Sequence, residues 1–204
     1  GFDIVIGNPP YIKEPTNRKA FDGFRKSKYY QGKMDLWYGF SCMMIDNLKE
    51  NGIQSFIAQN NWTTSAGASK LRFKILSDTE IKSFVDFGNY KVFQSAGIQT
   101  MIYVVQKKKY VAPYSLKYSV LIDDKIPQSK LNDFLNFDLQ NEFAQKYIFE
   151  VTNDMISDKS FTFNTNDDEL VLSQILNHSN FKLSEKEVAQ GIVFPQDFLN
   201  KSNL

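Results

Sequence analysis

Cysteine occurs once in these 204 residues, and so does histidine. A single cysteine excludes an internal disulfide and any cysteine-rich zinc site. Cys42 lies in the apolar stretch "GFSCMMI" and reads as a buried core thiol. His178, in "QILNHSN", stands at a helix end, where a basic ring suits the helix dipole; catalytic and metal-ligand roles are not expected of it. No metal site is expected. No apolar run approaches the ~18 residues of a membrane helix. The first residues also lack a basic n-region, so neither a membrane segment nor a signal peptide is expected, and a cytoplasmic setting is. The formal net charge is only +1, so any basic footprint has to be local. With 42% apolar residues, the length suits one globular domain, or one and part of a second.

What the chain does have is alternation. Phe2 to Ile6 is almost wholly apolar, as in strands covered on both faces. From Asp35, Leu36, Phe40, Met43, Met44 and Leu48 recur at helical spacing, ending on Asn51-Gly52, a helix-stop signal. A strand is predicted over 53–60 and a helix over 65–79, with Leu71, Ile75 and Leu76 on its core face. Strands follow at 81–88 and 99–107; their short connection makes them antiparallel. The pattern predicts an α/β fold: a mostly parallel sheet, helices on both faces, and an antiparallel edge hairpin.

After residue 110 the character changes. "YSLKYSVLI" suggests one more strand. "SKLNDFLNFDLQNEFAQKY" and "DDELVLSQILNHS" read as helices, with core faces Leu131, Phe134, Leu135 and Leu170, Ile175, Leu176. Ser184 and Glu187 form a capping box. A chain opening on its most buried-looking strand would expose an apolar edge; a fragment lacking the N-terminal half of its sheet is the expectation.

The chemistry concentrates in "Asn-Pro-Pro-Tyr" (8–11), directly after that first strand. Each proline lacks an N–H, fixes its own φ and forces the preceding residue extended. The strand end therefore presents acceptors, the Asn8 side-chain oxygen and the Pro9 carbonyl, beside the flat ring of Tyr11. In open α/β sheets ligands bind at this carboxyl end. Two acceptors and a stacking ring suit an exocyclic amino group on a planar base, made reactive by hydrogen bonds to its two N–H groups. Such a base is reached only by eversion from a duplex.

"FDIVIGNPPY" resembles the catalytic motif of amino-group methyltransferases that use S-adenosylmethionine. "GKMDLWYGFSCMMIDNLKENGIQSFIAQNNWTTSAGASKLRFKIL" and "VDFGNYKVFQSAGIQTMIYVVQKK" resemble the gamma-class N6-adenine DNA methyltransferases, above all Eco57I-like type IIG restriction–modification enzymes. The resemblance implies a Rossmann-like methyltransferase sheet, here its C-terminal half, with a helical C-terminal extension. It implies a catalytic half over 1–110, the remainder of the methyltransferase domain over 111–183, and the start of a target-recognition region over 184–204. Asn8 and Pro9 would bond the adenine amino group, Pro10 would stiffen the motif, and Tyr11 would stack on the everted base. Phe149 is the candidate second stacking ring, with Phe143 and Phe161 as rivals. S-adenosylmethionine is the implied cofactor, with Asn8 and Pro10 near its methyl end. The family's glycine-rich cofactor loop does not precede Asn8, so this piece alone is expected to be inactive. Implied partners are double-stranded DNA, the preceding half of the domain and a target-recognition domain.

Between the tetrapeptide and the first helix, residues 12–33 hold seven basic residues (Lys13, Arg18, Lys19, Arg25, Lys26, Lys28, Lys33) against two acidic ones. Phe21, Phe24, Tyr29 and Tyr30 interleave with them, a composition suited to phosphate contact. "KKKY" at 107–110 is a weaker basic signal. Two alternatives stay open: a protein-glutamine methyltransferase, which also grips an amide NH2 with this tetrapeptide, and an inactive DNA-binding or assembly module of a restriction complex.

Overall fold

Strand β1 (Phe2–Gly7) begins a six-stranded sheet of spatial order β1-β2-β4-β3-β5-β6. A computed structural model describes residues 1–93, 97–108, 113–138 and 142–152, together with positions 161, 163, 171, 174, 175, 177 and 178. It divides into two units, Gly1–Thr162 and Phe163–Leu204. In the second unit the described positions 171, 174, 175, 177 and 178 are helical, as the sequence predicts; Ile175, expected in a core, is 58% exposed. Leu170, Leu176, Ser184 and Glu187 lie outside the described residues.

In the first unit β1 is followed by α1 (Leu36–Asn47), β2 (Leu48–Gln59), α2 (Ser69–Asp78), β3 (Thr79–Asp86) and β4 (Thr100–Lys107). Then come β5 (Tyr114–Leu121), α3 (Leu131–Leu135) and β6 (Ala144–Val151). β1 pairs parallel with β2 and β3 with β5, whereas β4 and β6 run the other way. The predicted antiparallel pairing of β3 and β4 is present, but not at an edge. β4 inserts between β2 and β3, and β5 and β6 extend the same sheet past residue 110. Residues 144–147, expected to be helical, belong to β6; α3 is a short helix that buries Phe134 and leaves Leu135 42% exposed.

One sheet face carries α1. Ser41 Oγ on α1 lies 3.0 Å from Gln54 Oε1 on β2 and 2.8 Å from the Tyr103 hydroxyl on β4, with all three residues buried. Trp37, Trp62 and Tyr103 pack around this polar knot, and α2 lies beside α1 with Leu71, Ile75 and Leu76 buried as predicted. The α1 stripe differs from expectation: Trp37, Tyr38, Ser41, Cys42 and Ile45 are buried, whereas Phe40 and Met43 are 43% and 38% exposed. The helix is apolar nearly all round, so spacing alone does not select its inner face. The opposite sheet face holds a second core of Val85, Phe87, Leu121, Ile126, Phe134 and Ala144.

Asn51-Gly52 does not cap α1. The helix stops at Leu48, already extended, and Asn51 (φ 63°) forms a bulge within β2, where register jumps from Phe2↔Leu48 to Ile4↔Ile53. β1 is the edge strand, and Phe2, Ile4 and Ile6 are 56%, 62% and 77% exposed rather than covered. No helix among the described residues is long and apolar enough to cross a membrane.

Candidate active site

The carboxyl ends of β1, β2, β3 and β5 meet along one side of the sheet, and Asn8 to Tyr11 leave β1 there. Register runs to Gly7↔Phe56 and stops, because Pro9 and Pro10 have no N–H to continue the ladder. The next carbonyl on β2, Ile57 O, takes the Tyr11 hydroxyl at 2.8 Å in place of a backbone donor. That hydroxyl is also 2.6 Å from Asn8 Oδ1. One proton serves two acceptors, so Tyr11 restrains Asn8 without saturating its oxygen. Pro9 is buried, Tyr11 half-buried, and Asn8 and Pro10 are exposed. Burial, with Asp35 nearby, pushes the Tyr11 phenol up to about 12, so it stays a neutral donor at neutral pH.

The segment after Tyr11 is clamped to the start of α1. Leu36 N–H donates to Ile12 O at 2.9 Å and Glu14 N–H to Met34 O at 3.0 Å. Asp35, the α1 N-cap, is 3% exposed and accepts from Ile12 N–H at 2.9 Å through Oδ1, which also faces Trp37 N–H. Burial raises its carboxyl against these N–H bonds. The sequence marks Asp35 only as a helix start; its hold on the exit of the tetrapeptide comes from the fold.

The basic segment packs on α1 through its aromatic residues. Phe21 and Tyr29 are buried, and Phe24 lies on Gly39 of α1, where an added Cβ would sit 1.9 Å from the ring. Glu14 organises it, accepting from the Tyr30 hydroxyl and from Lys33 N–H at 2.8 Å. Arg25 is engaged with Asp22, Glu14 and Arg18 O, and Lys28 with Asp46. The Lys13, Arg18, Lys19, Lys26 and Lys33 side chains are exposed and make no ion pair among the described residues. Asp46 also takes the Tyr29 hydroxyl and Lys74; burial raises its carboxyl, but these bonds outweigh that and hold it at about 2. A cleft of about 690 Å³ between this segment and α2, lined by Lys28, Tyr29, Lys70, Phe73 and Lys74 among others, includes no residue of the tetrapeptide. Lys107 donates to Asp46 O and Leu48 O at the end of α1, and Lys108 pairs with Glu80, so the described lysines of "KKKY" are structural.

Phe149 is on β6, opposite Leu116 and in ring contact with Tyr118 and Tyr147. β1 and β6 are the two edges of the sheet, about 24 Å apart at ~4.8 Å per strand, so one base cannot touch both Tyr11 and Phe149. Phe161 packs on Trp62 and Phe84, its N–H bonded to Thr63 O, and Phe143 packs on the second core. The connection from β3 to β4, at the carboxyl end of the sheet, carries Phe87, Tyr90 and Phe93; Phe87 and Tyr90 pack into the second core, which leaves Phe93 as a candidate. It is half-buried, while its neighbour Val92 packs into the second core. Its signal is "KVFQ", inside a block that itself resembles the family. Asn60 and Asp86, at the ends of β2 and β3, are joined by a hydrogen bond of 3.2 Å at the same place. Among the described residues no group of three metal-ligating side chains forms.

Residues 1–93 match the family model of the Eco57I restriction-modification methylases. The chain is 27% identical over 108 residues to the type II methyltransferase M.BanIII of Aneurinibacillus aneurinilyticus, covering 52% of this chain and 18% of that protein. It is 27% identical over 152 residues to the adenine-specific methyltransferase BrxX of Escherichia coli O9:H4, covering 71% of this chain and 12% of that one. The type IIG restriction endonuclease BpuSI shares the fold at a TM-score of 0.54 and 11% identity, over 86% of this chain and 22% of its own. The chain thus spans less than a fifth of the length of these two curated relatives.

Proposed function

We propose, from the match of residues 1–93 to the Eco57I restriction-modification methylase family, that this chain is part of a DNA adenine-N6 methyltransferase of a restriction–modification system. The observation that carries the reading is exposed Asn8, its side-chain oxygen restrained by the Tyr11 hydroxyl where the chain leaves the carboxyl end of β1. S-adenosylmethionine, when bound, supplies a methyl group on a sulfonium sulfur. As the methyl group leaves that sulfur for the adenine amino nitrogen, Asn8 Oδ1 and Pro9 O would accept its two N–H groups and stabilise the positive charge that grows there until one proton is released to solvent. Tyr11 stacks on the everted base, and Phe93 replaces Phe149 as the candidate for its other face. Asn8 and Pro10, exposed on the open side of β1, suit contact with the methyl end of the cofactor. The exposed apolar edge formed by Phe2, Ile4 and Ile6 supports a further strand and its layer, supplied by the preceding half of the domain. The 204 residues alone are accordingly expected to transfer no methyl group.

Tyr11→Ala in the complete protein is expected to lower the extrahelical population of the target base about five-fold or more, since stacking contributes roughly 1–3 kcal/mol. Emission of 2-aminopurine at the target position measures it, and an unchanged signal would show that Tyr11 only packs. In the basic segment, Lys19→Ala with Lys26→Ala should flatten the salt dependence of duplex binding by ~0.9 for each phosphate no longer neutralised. An unaltered slope in a salt titration of the dissociation constant would remove this segment from the DNA interface.

A further inference from the structure

The β3–β4 connection is pinned at both described ends, and the two pins meet. At its start, Asp86 Oδ1 accepts Gly88 N–H at 2.9 Å and shapes the turn that leaves β3. Gly88 has φ +53°, and a Cβ there would stand 2.5 Å from Leu121 O, so the turn has one available form. At its other end, Asn60 N–H donates to Gln99 O at 3.1 Å and Phe87 N–H to Thr100 O at 3.0 Å. Asn60 Nδ2 then donates to Asp86 at 3.2 Å, joining the exit of β2 to the exit of β3 across the intervening β4. A carboxylate only accepts, so it holds the Gly88 N–H and the Asn60 amide together as no neutral side chain of its size would without rearrangement. Tyr118, on β5, is a further hydrogen-bond partner of Asp86. Asp86 touches neither Asn8 nor Tyr11 in any hydrogen bond, yet the segment it anchors carries Phe93 to the carboxyl end of the sheet.

We infer that Asp86 is a positioning residue of the base site: through Gly88 and Asn60 it fixes the start of the β3–β4 connection, which runs on to Phe93, and so holds Phe93 against the everted base. This rests on the adenine methyltransferase reading. The effect of Asp86 passes through Phe93 to base extrusion and turnover, not through duplex binding or global stability.

The test compares Asp86→Ala, Asp86→Asn, Asn60→Ala, Phe93→Ala and the Asp86→Ala/Phe93→Ala pair in the complete protein, reading duplex affinity, 2-aminopurine emission at the target base, kcat for methyl transfer, and the melting temperature. Asp86→Ala should lower emission and kcat about ten-fold, with duplex affinity within about two-fold. Asp86→Asn should recover most of that loss, because its oxygen still accepts Gly88 N–H while the Asn60 amide turns over to meet its NH2. Asn60→Ala should fall between the two, and the pair should be no worse than Phe93→Ala alone. Wild-type extrusion and turnover in Asp86→Ala, or losses that multiply in the pair, would overturn the inference. If Asp86→Ala melts before it can be assayed, Asn60→Ala decides in the same way. If Asn8→Ala still methylates, the underlying reading fails; if Asn8→Ala is dead while Asp86→Ala and Asn60→Ala match wild type, only this inference does.

Discussion

Asn8→Ala in the complete protein is expected to lower adenine methylation by at least about a hundred-fold while duplex affinity stays within about ten-fold. The split follows from where the residue sits. Asn8 is exposed at the end of β1, bonded only to the Tyr11 hydroxyl among the described residues, and bears no packing load. Removing it leaves the Tyr11–Ile57 bond, the clamp between residues 12–14 and 34–36, and the basic segment intact. On the proposed reading, what disappears is one of the two acceptors assigned to the amino nitrogen. Transfer of labelled methyl groups into duplex DNA measures the first quantity and titration of the same duplex the second. A variant that methylates at the wild-type rate would end the role given to Asn8, and one that loses both together would make it a structural residue.

Trp62→Ala is expected to destabilise the protein by about 3–5 kcal/mol, as large-to-small changes of fully buried aromatic residues do. Trp62 is 0% exposed and touches Trp37 on α1, Phe84 on β3, Tyr103 on β4 and Phe161, with its indole N–H directed at Met101 Sδ at 3.1 Å. It thus joins α1, the turn after β2 and the middle of the sheet. The loss would take a large share of the roughly 5–15 kcal/mol typical of a folded domain. Chemical denaturation of the folded protein measures it. A loss below about 1 kcal/mol would show that this aromatic cluster is not the keystone of the helix-covered face.

How much of the fold is legible in the sequence differs by element. The elements predicted before residue 110 stand within about five residues of their expected places, although the turn signal Asn51-Gly52 falls inside β2 rather than at the end of α1. The placement of β4 inside the sheet is not legible: a short connection dictates antiparallel pairing but not which strand lies on the far side. The β6 strand is hidden because "AQKYIFEV" continues a helix-compatible pattern, and pairing with β5 overrides it. At the site, two prolines after an apolar strand place acceptors at its carboxyl end, where the fold has them. The partner of the Tyr11 hydroxyl, Ile57 O, is 46 residues away and is set only by the β1–β2 register. Phe149 fails for the same reason in reverse: local likeness favours it, and strand order puts it on the opposite edge. The loop lysines and arginines are easily counted, but which of them are spent internally, as Arg25 and Lys28 are, depends on Asp22, Glu14 and Asp46 folding toward them.

The most direct test is a structure of the complete protein on its duplex with a non-transferable cofactor analogue. The account predicts an extrahelical adenine whose amino nitrogen lies within about 3.2 Å of both Asn8 Oδ1 and Pro9 O, with its ring over Tyr11. A target base held elsewhere, with Asn8 still bonded to Tyr11 alone, would contradict it.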